Sequence, residues 1–126
     1  MAKDNLNDVL FAFSEEIRLR ILMLLSHGSM ICVKCIVGTL GVPQPTISRH
    51  LALLRRTGIV EVKKDKQHCY YSLRKDGPML SLKNALVDVF QGALKDKDPF
   101  KKDWAKLNKV GSLCVEDCKI RPVKAA

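Results

Sequence analysis

Apolar residues in the first part of the chain recur at helical spacing. Leu6, Val9, Leu10 and Phe13 follow the i, i+3, i+4, i+7 rule, and Ile17, Ile21, Leu24 and Leu25 repeat it after Ser14, which offers an N-cap with Glu15 and Glu16 in the first turn. Two amphipathic helices are therefore predicted. Gly28 stops the second, Ser29 caps a short third helix from about Ile31 to Thr39, and Gly41 stops that one too. A tight turn through Gly41, Val42, Pro43 and Gln44 leads to Pro45, at a first helical position where its missing N–H costs nothing. The fourth helix runs from there to Arg56, with Gly58 as its stop.

Ile47, Leu51 and Leu54 share one face of that fourth helix, while Thr46, Ser48, Arg49, Ala52 and Arg56 project from the other. One face packs and the other is polar and basic. Ile59 to Lys63 and Cys69 to Leu73 are β-branched and aromatic runs around a charged tip, which predicts a hairpin. Gly77 and Pro78 open a last long helix. Its Met79, Leu82, Leu86, Val89 and Ala93 form one stripe, and Leu80, Val87 and Leu94 another, so it needs two partners: its own core and, most simply, a second subunit.

The length of 126 residues suits one compact unit, and 47% hydrophobic residues supply a core. The longest uninterrupted apolar run is Ile21 to Leu25, far short of the roughly 20 residues a bilayer span needs. With a polar, charged start, this predicts an unexported, cytoplasmic protein without a membrane partner. The division read from the sequence is a unit over residues 1–94 and a basic, cysteine-containing tail over 95–126. In the tail Phe100, Trp104 and Leu107 fall at helical spacing, so a short helix docking by its aromatic face is expected, with Trp104 as its anchor.

The net charge of +9 is unevenly placed: residues 49–75 alone carry eight positive and two negative charges, whereas residues 1–48 are neutral overall. Such concentration on one supersecondary unit points to a polyanion, of which nucleic acid is the commonest. The order of elements agrees. Helix, helix, turn, polar helix and basic hairpin make a mainly α winged helix-turn-helix with a small β-hairpin, whose second helix of the pair enters the major groove. Gln44, Thr46, Ser48 and Arg49 then lie where donors and acceptors reach base edges, and Arg49 suits a guanine. Arg56, Lys63, Lys64 and Lys66 are placed for phosphates, and His50 for a structural role.

The run Gln44-Pro45-Thr46-Ile47-Ser48-Arg49-His50-Leu51-Ala52-Leu53-Leu54-Arg55 resembles the recognition-helix signature of the ArsR/SmtB winged-helix repressors. Glu15 to Leu22 resembles that family's second helix, and Gly58-Ile59-Val60 leading to Tyr70-Tyr71-Ser72-Leu73 its wing. The resemblance implies a homodimer paired through its first and last helices, bound to a palindromic operator and released when a metal or other inducer binds.

Five cysteines in an unexported chain leave three chemistries: buried small residues, redox thiols and soft-metal ligands. Cys69 alternates with bulky wing residues and reads as packing. Cys32 and Cys35, spaced i, i+3 at the start of the third helix, put both thiols on one side, where the helix dipole favours thiolate; Cys114 and Cys118 form a second pair in the tail. Thiolates without histidine favour arsenite, antimonite, cadmium or lead over hard cations, so a thiophilic ion is the expected inducer and no permanent cofactor is expected.

Ile31-Cys32-Val33 sits where arsenic-responsive members of the resembled family carry Cys-Val-Cys, with Lys34 in place of the second cysteine and Cys35 one residue late. A third ligand from Cys114 or Cys118 would complete a trigonal site. Zinc is not expected, because the last helix offers only Asp88 where zinc-sensing members carry Asp and His ligands. Three rivals share these residues. They are a repressor triggered by thiol oxidation or persulfidation, a thiol oxidoreductase using Cys32-Val33-Lys34-Cys35, and a non-specific architectural DNA binder. The oxidoreductase lacks the βαβ setting of its motif, and the chain shows no other catalytic constellation, so no enzyme is expected.

Overall fold

The computed structural model describes residues 5–27, 29–65, 68–113 and 121–122. Gly28, Lys66, Gln67, Cys114 and Cys118 lie outside them.

Asn5 starts helix α1 (Leu6–Ala12) by accepting a hydrogen bond from the Asp8 N–H at 2.8 Å. Val9 and Phe13 of the predicted stripe enter the core, while Leu6 and Leu10 stay exposed beside Phe11. Helix α2 (Glu16–Leu25) is capped by Glu15, whose carboxylate accepts from the Arg18 N–H at 3.0 Å. The cap is therefore not Ser14: its hydroxyl instead donates to the Phe11 carbonyl at 2.7 Å, closing the end of α1. Residues Ile21 to Leu25 are all buried, so α2 is the central helix rather than a surface one.

The predicted third helix begins later than expected. Ser29–Cys32 form strand β1, and helix α3 (Val33–Leu40) follows with Cys32 at its N-cap and no cap bond from the Cys32 side chain. The reason is non-local: Ile31 and Cys32 pair with Tyr71 and Tyr70 of the wing, and the ladder wins over a one-residue cap. Gly41 ends α3 in the left-handed region, at φ 67°. Val42 and Pro43 then lead into α4 (Gln44–Arg56), with Pro45 at its second position. Ile47, Leu51 and Leu54 are fully buried, as the pattern predicts.

The hairpin forms as β2 (Val60–Asp65) and β3 (His68–Leu73), antiparallel from Val60↔Leu73 to Asp65↔His68. With β1 it makes a small antiparallel sheet, extended on the outer edge of β1 by a short β4 (Arg121–Pro122) that the sequence did not suggest. Helix α5 (Leu80–Leu94) packs by Leu82, Leu86, Val87 and Phe90, and Phe90 stacks on Phe13 of α1 at 5.6 Å. Its Lys83 is buried with its ammonium on the Gly58 carbonyl at 3.1 Å, clamping α5 to the end of α4.

Residues assigned to the tail join the same core. Helix α6 (Phe100–Leu113) buries Leu107, pairs Asp103 with Arg20 and stacks Trp104 on His27, with ring centres 3.5 Å apart. No helix among the described residues is long and apolar enough to cross a membrane.

Candidate nucleic-acid interface and thiol site

Helices α3 and α4 meet across the Gly41–Pro43 turn as a helix-turn-helix, and the hairpin stands beside them as a wing. Burial of Ile47, Leu51 and Leu54 against the core fixes which side of α4 is free. On that free side Gln44, Ser48 and Arg49 are exposed and Thr46 is half-buried. Arg49 Nη2 lies 3.4 Å from the Thr46 hydroxyl, a loose bond that leaves the guanidinium turned outward along the start of the helix. Arg56 at the helix end and Lys63 and Lys64 on β2 are exposed as well. Lys66 lies outside the described residues.

Arg55, also exposed, belongs with this group. Ser48, Ala52 and Arg55 lie at i, i+4, i+7 along one row, a spacing that marks Arg55 as readily as the others. The candidate interface is therefore one continuous cationic and hydrogen-bonding surface, polar at the helix start and basic at its end and on the wing. Such a division suits base edges in the major groove and phosphates to either side.

His50 faces the other way. Its Nδ1 lies 3.3 Å from Nη1 of Arg18 and its Nε2 3.8 Å from the Glu15 carboxylate, the structural role expected of it. Burial lowers its pKa; the Glu15 charge opposes this, and the charges of Arg18 and Arg49 add to it. Glu15 is drawn the other way by several small effects: burial raises its pKa, but the Arg18 and Ile17 N–H groups and the charges of His50 and Arg18 outweigh it, and the net shift is downward.

The thiols are distributed differently from the helical reading. Cys32 is buried at the N-cap of α3 and is disulfide-bonded. Cys35, one helical turn on, is completely buried and in no disulfide, and Cys69 on β3 is a half-buried thiol. Cys32 thus belongs to the end of the strand, and Cys35 lies in the core. Among the described residues no group of three or more His, Cys, Asp or Glu side chains is arranged to hold an ion.

A buried helix-turn-helix with an outward basic helix and wing defines a winged-helix DNA-binding protein. The model of the bacterial regulatory proteins of the arsR family matches residues 15–62, which run from the cap of α2 into the wing. An uncharacterised HTH-type transcriptional regulator of Methanocaldococcus jannaschii is 39% identical over 69 residues, spanning 55% of this chain and 78% of that protein. The arsenical resistance operon repressor of Escherichia coli is 42% identical over 60 residues, 48% of this chain and 51% of that repressor. Among solved structures, HlyU from Vibrio cholerae superposes with a TM-score of 0.61 at 28% identity, over 70% of this chain and 89% of that one. The chain belongs to the ArsR family and is a DNA-binding transcriptional regulator.

Proposed function

We propose that this protein is a homodimeric repressor that reads a palindromic operator through α4 and the wing, and that the thiol chemistry of Cys32 decides whether it holds on. The observation that carries the reading is the position of Cys32: a disulfide-bonded cysteine immediately before α3, the first helix of the helix-turn-helix. Once reduced, its thiol sits at a helix N-terminus, where the dipole favours the reactive thiolate. A peroxide oxidises that thiol and a second one to a disulfide and is itself reduced to two waters. The bond ties the base of the helix-turn-helix to a distant cysteine, and operator affinity changes by the difference between the two states. V. cholerae HlyU, a structural neighbour, has itself been solved in a reduced form.

Dimerisation is supported by the exposed apolar residues Leu6, Leu10 and Phe11 on α1 and Val89 on α5, which a second copy would cover. The second reading takes the same cysteines as ligands. Reduced Cys32 with Cys35 and Cys114 or Cys118 would capture arsenite or antimonite, or cadmium or lead, as inducer. The name of the E. coli relative favours it. In that reading the complete burial of Cys35 requires α3 to open at its first turn.

A duplex selected by the reduced protein from a random pool serves as operator. Release by peroxide, reversal by dithiothreitol and loss of both responses in Cys32→Ser are expected for oxidative control. Release of the reduced protein by arsenite under anaerobic conditions would instead establish the ion as the inducer. A reduced protein that neither peroxide nor arsenite detaches would remove Cys32 from the sensor.

A further inference from the structure

Arg18 is a buried arginine whose guanidinium meets four acceptors, the Phe11 and Ala12 carbonyls, the Ser14 hydroxyl at 3.4 Å and His50. Nη2 donates to the Phe11 carbonyl at 2.9 Å and Nε to the Ala12 carbonyl at 3.3 Å, the last carbonyls of α1. The Phe11 ring lies under the guanidinium, 4.6 Å from its carbon. Nη1 reaches His50, in the middle of the recognition helix, at 3.3 Å. One cation therefore joins the end of α1, whose apolar outer face is the proposed dimer surface, to the helix that reads DNA.

We infer that Arg18 and His50 are a positioning pair that sets the recognition helix relative to α1, so that operator selectivity depends on His50 accepting a hydrogen bond from Arg18. The inference rests on the operator-binding reading above. A dimer on a palindrome must present two reading helices at a fixed separation, so a small rotation of α4 relative to α1 displaces every base contact while leaving phosphate attraction intact.

The chemistry of the pair makes it switchable. Arginine only donates, so His50 Nδ1 must carry its lone pair, and the ring's other N–H turns toward Glu15. A proton on Nδ1 removes the acceptor and sets a second cation against Arg18. The charged groups facing the ring are Arg18 and Glu15 at the start of α2 and Arg49 on α4. Burial and the two arginines outweigh Glu15, so the ring is neutral and the bond intact at neutral pH.

The test measures fluorescence anisotropy of a duplex selected by the wild type and of a random duplex of equal length, at about pH 7.5 and about pH 5.5. Wild type is expected to lose part of its preference for the selected duplex on acidification, moving toward the level of His50→Leu. His50→Asn keeps an acceptor near Nδ1 and takes up no proton, so it should keep the preference and lose the pH dependence. His50→Leu should lose about tenfold of the preference at both pH values, with random-duplex binding and melting temperature near wild type. His50→Leu as selective as wild type, or His50→Asn as pH-dependent, would overturn the inference alone. A wild type that selects no sequence would overturn the operator reading and the inference with it.

Discussion

Arg20 and Asp103, on α2 and α6, meet in a two-pronged ion pair: Nε donates to one carboxylate oxygen and Nη2 to the other, each at 2.8 Å. Asp103 is almost wholly buried and Arg20 largely so; the hydrogen bond to Asp103 and the charge of that carboxylate raise the arginine's pKa against the opposing effect of burial. Nη2 also lies 3.4 Å from the Leu40 carbonyl at the end of α3, so three helices converge on one guanidinium. Asp103→Asn strands that cation, and breaking a buried pair from one side costs about 3 kcal/mol. Urea unfolding should show the loss, whereas Arg20→Met with Asp103→Leu should restore most of it. A single variant as stable as wild type would show that the pair does not hold α6.

Leu107→Ala tests whether α6 belongs to the core in solution. The side chain is 1% exposed, and emptying such a site costs about 3 kcal/mol. Lys106→Ala, on the exposed side of the same turn, should stay within about 0.5 kcal/mol. Equal effects at the two positions would mean that α6 is not docked.

Much of this architecture is visible in local pattern, because the fourth helix carries its own evidence: Ile47, Leu51 and Leu54 mark the buried side, so the free side follows. The wing is equally legible from two β-branched runs around a charged tip. The misreadings share one cause, a partner far away in sequence. Ser29 to Cys32 look like a helix start until Tyr70 and Tyr71 supply a strand beside them. The docking of α6 follows the expected face of Phe100, Trp104 and Leu107, but its partners Arg20 and His27 lie far away in sequence. Arg18, a buried connector, finds its partner His50 on another helix. Cys32 likewise caps α3 rather than lying inside it, because Tyr70 draws it into the strand.

Stability should fall as the solution is acidified through the histidine range. Partial burial lowers the pKa of His27, whose ring stacks on Trp104 and meets the Gln91 amide through Nε2, and His50 is lowered as described above. A depressed histidine is neutral in the folded protein while the unfolded chain still binds the proton. Its contribution is therefore complete above the unfolded value of 6.5 and is lost as pH falls through the lower folded value. Unfolding free energies measured across this window should decline toward acid, and His27→Gln should flatten the decline. A free energy that rises on acidification would contradict the neutral state of both rings.

Two single substitutions separate the base-reading from the phosphate-holding part of the interface. Arg49 is exposed at the start of α4, where a guanidinium can meet the two acceptors of a guanine. Arg49→Ala should weaken a selected operator by about 1–3 kcal/mol and leave random duplex nearly unchanged. Lys64 is exposed on β2 opposite Cys69, where a wing approaches the sugar-phosphate backbone. Lys64→Ala should weaken selected and random duplexes alike and lower the slope of log affinity against log salt by about 1, the loss of one phosphate contact. The salt titration decides between contact types, because a base contact alters affinity without releasing counterions. Equal loss of both duplexes in Arg49→Ala, together with a reduced slope, would move Arg49 from the bases to the phosphates.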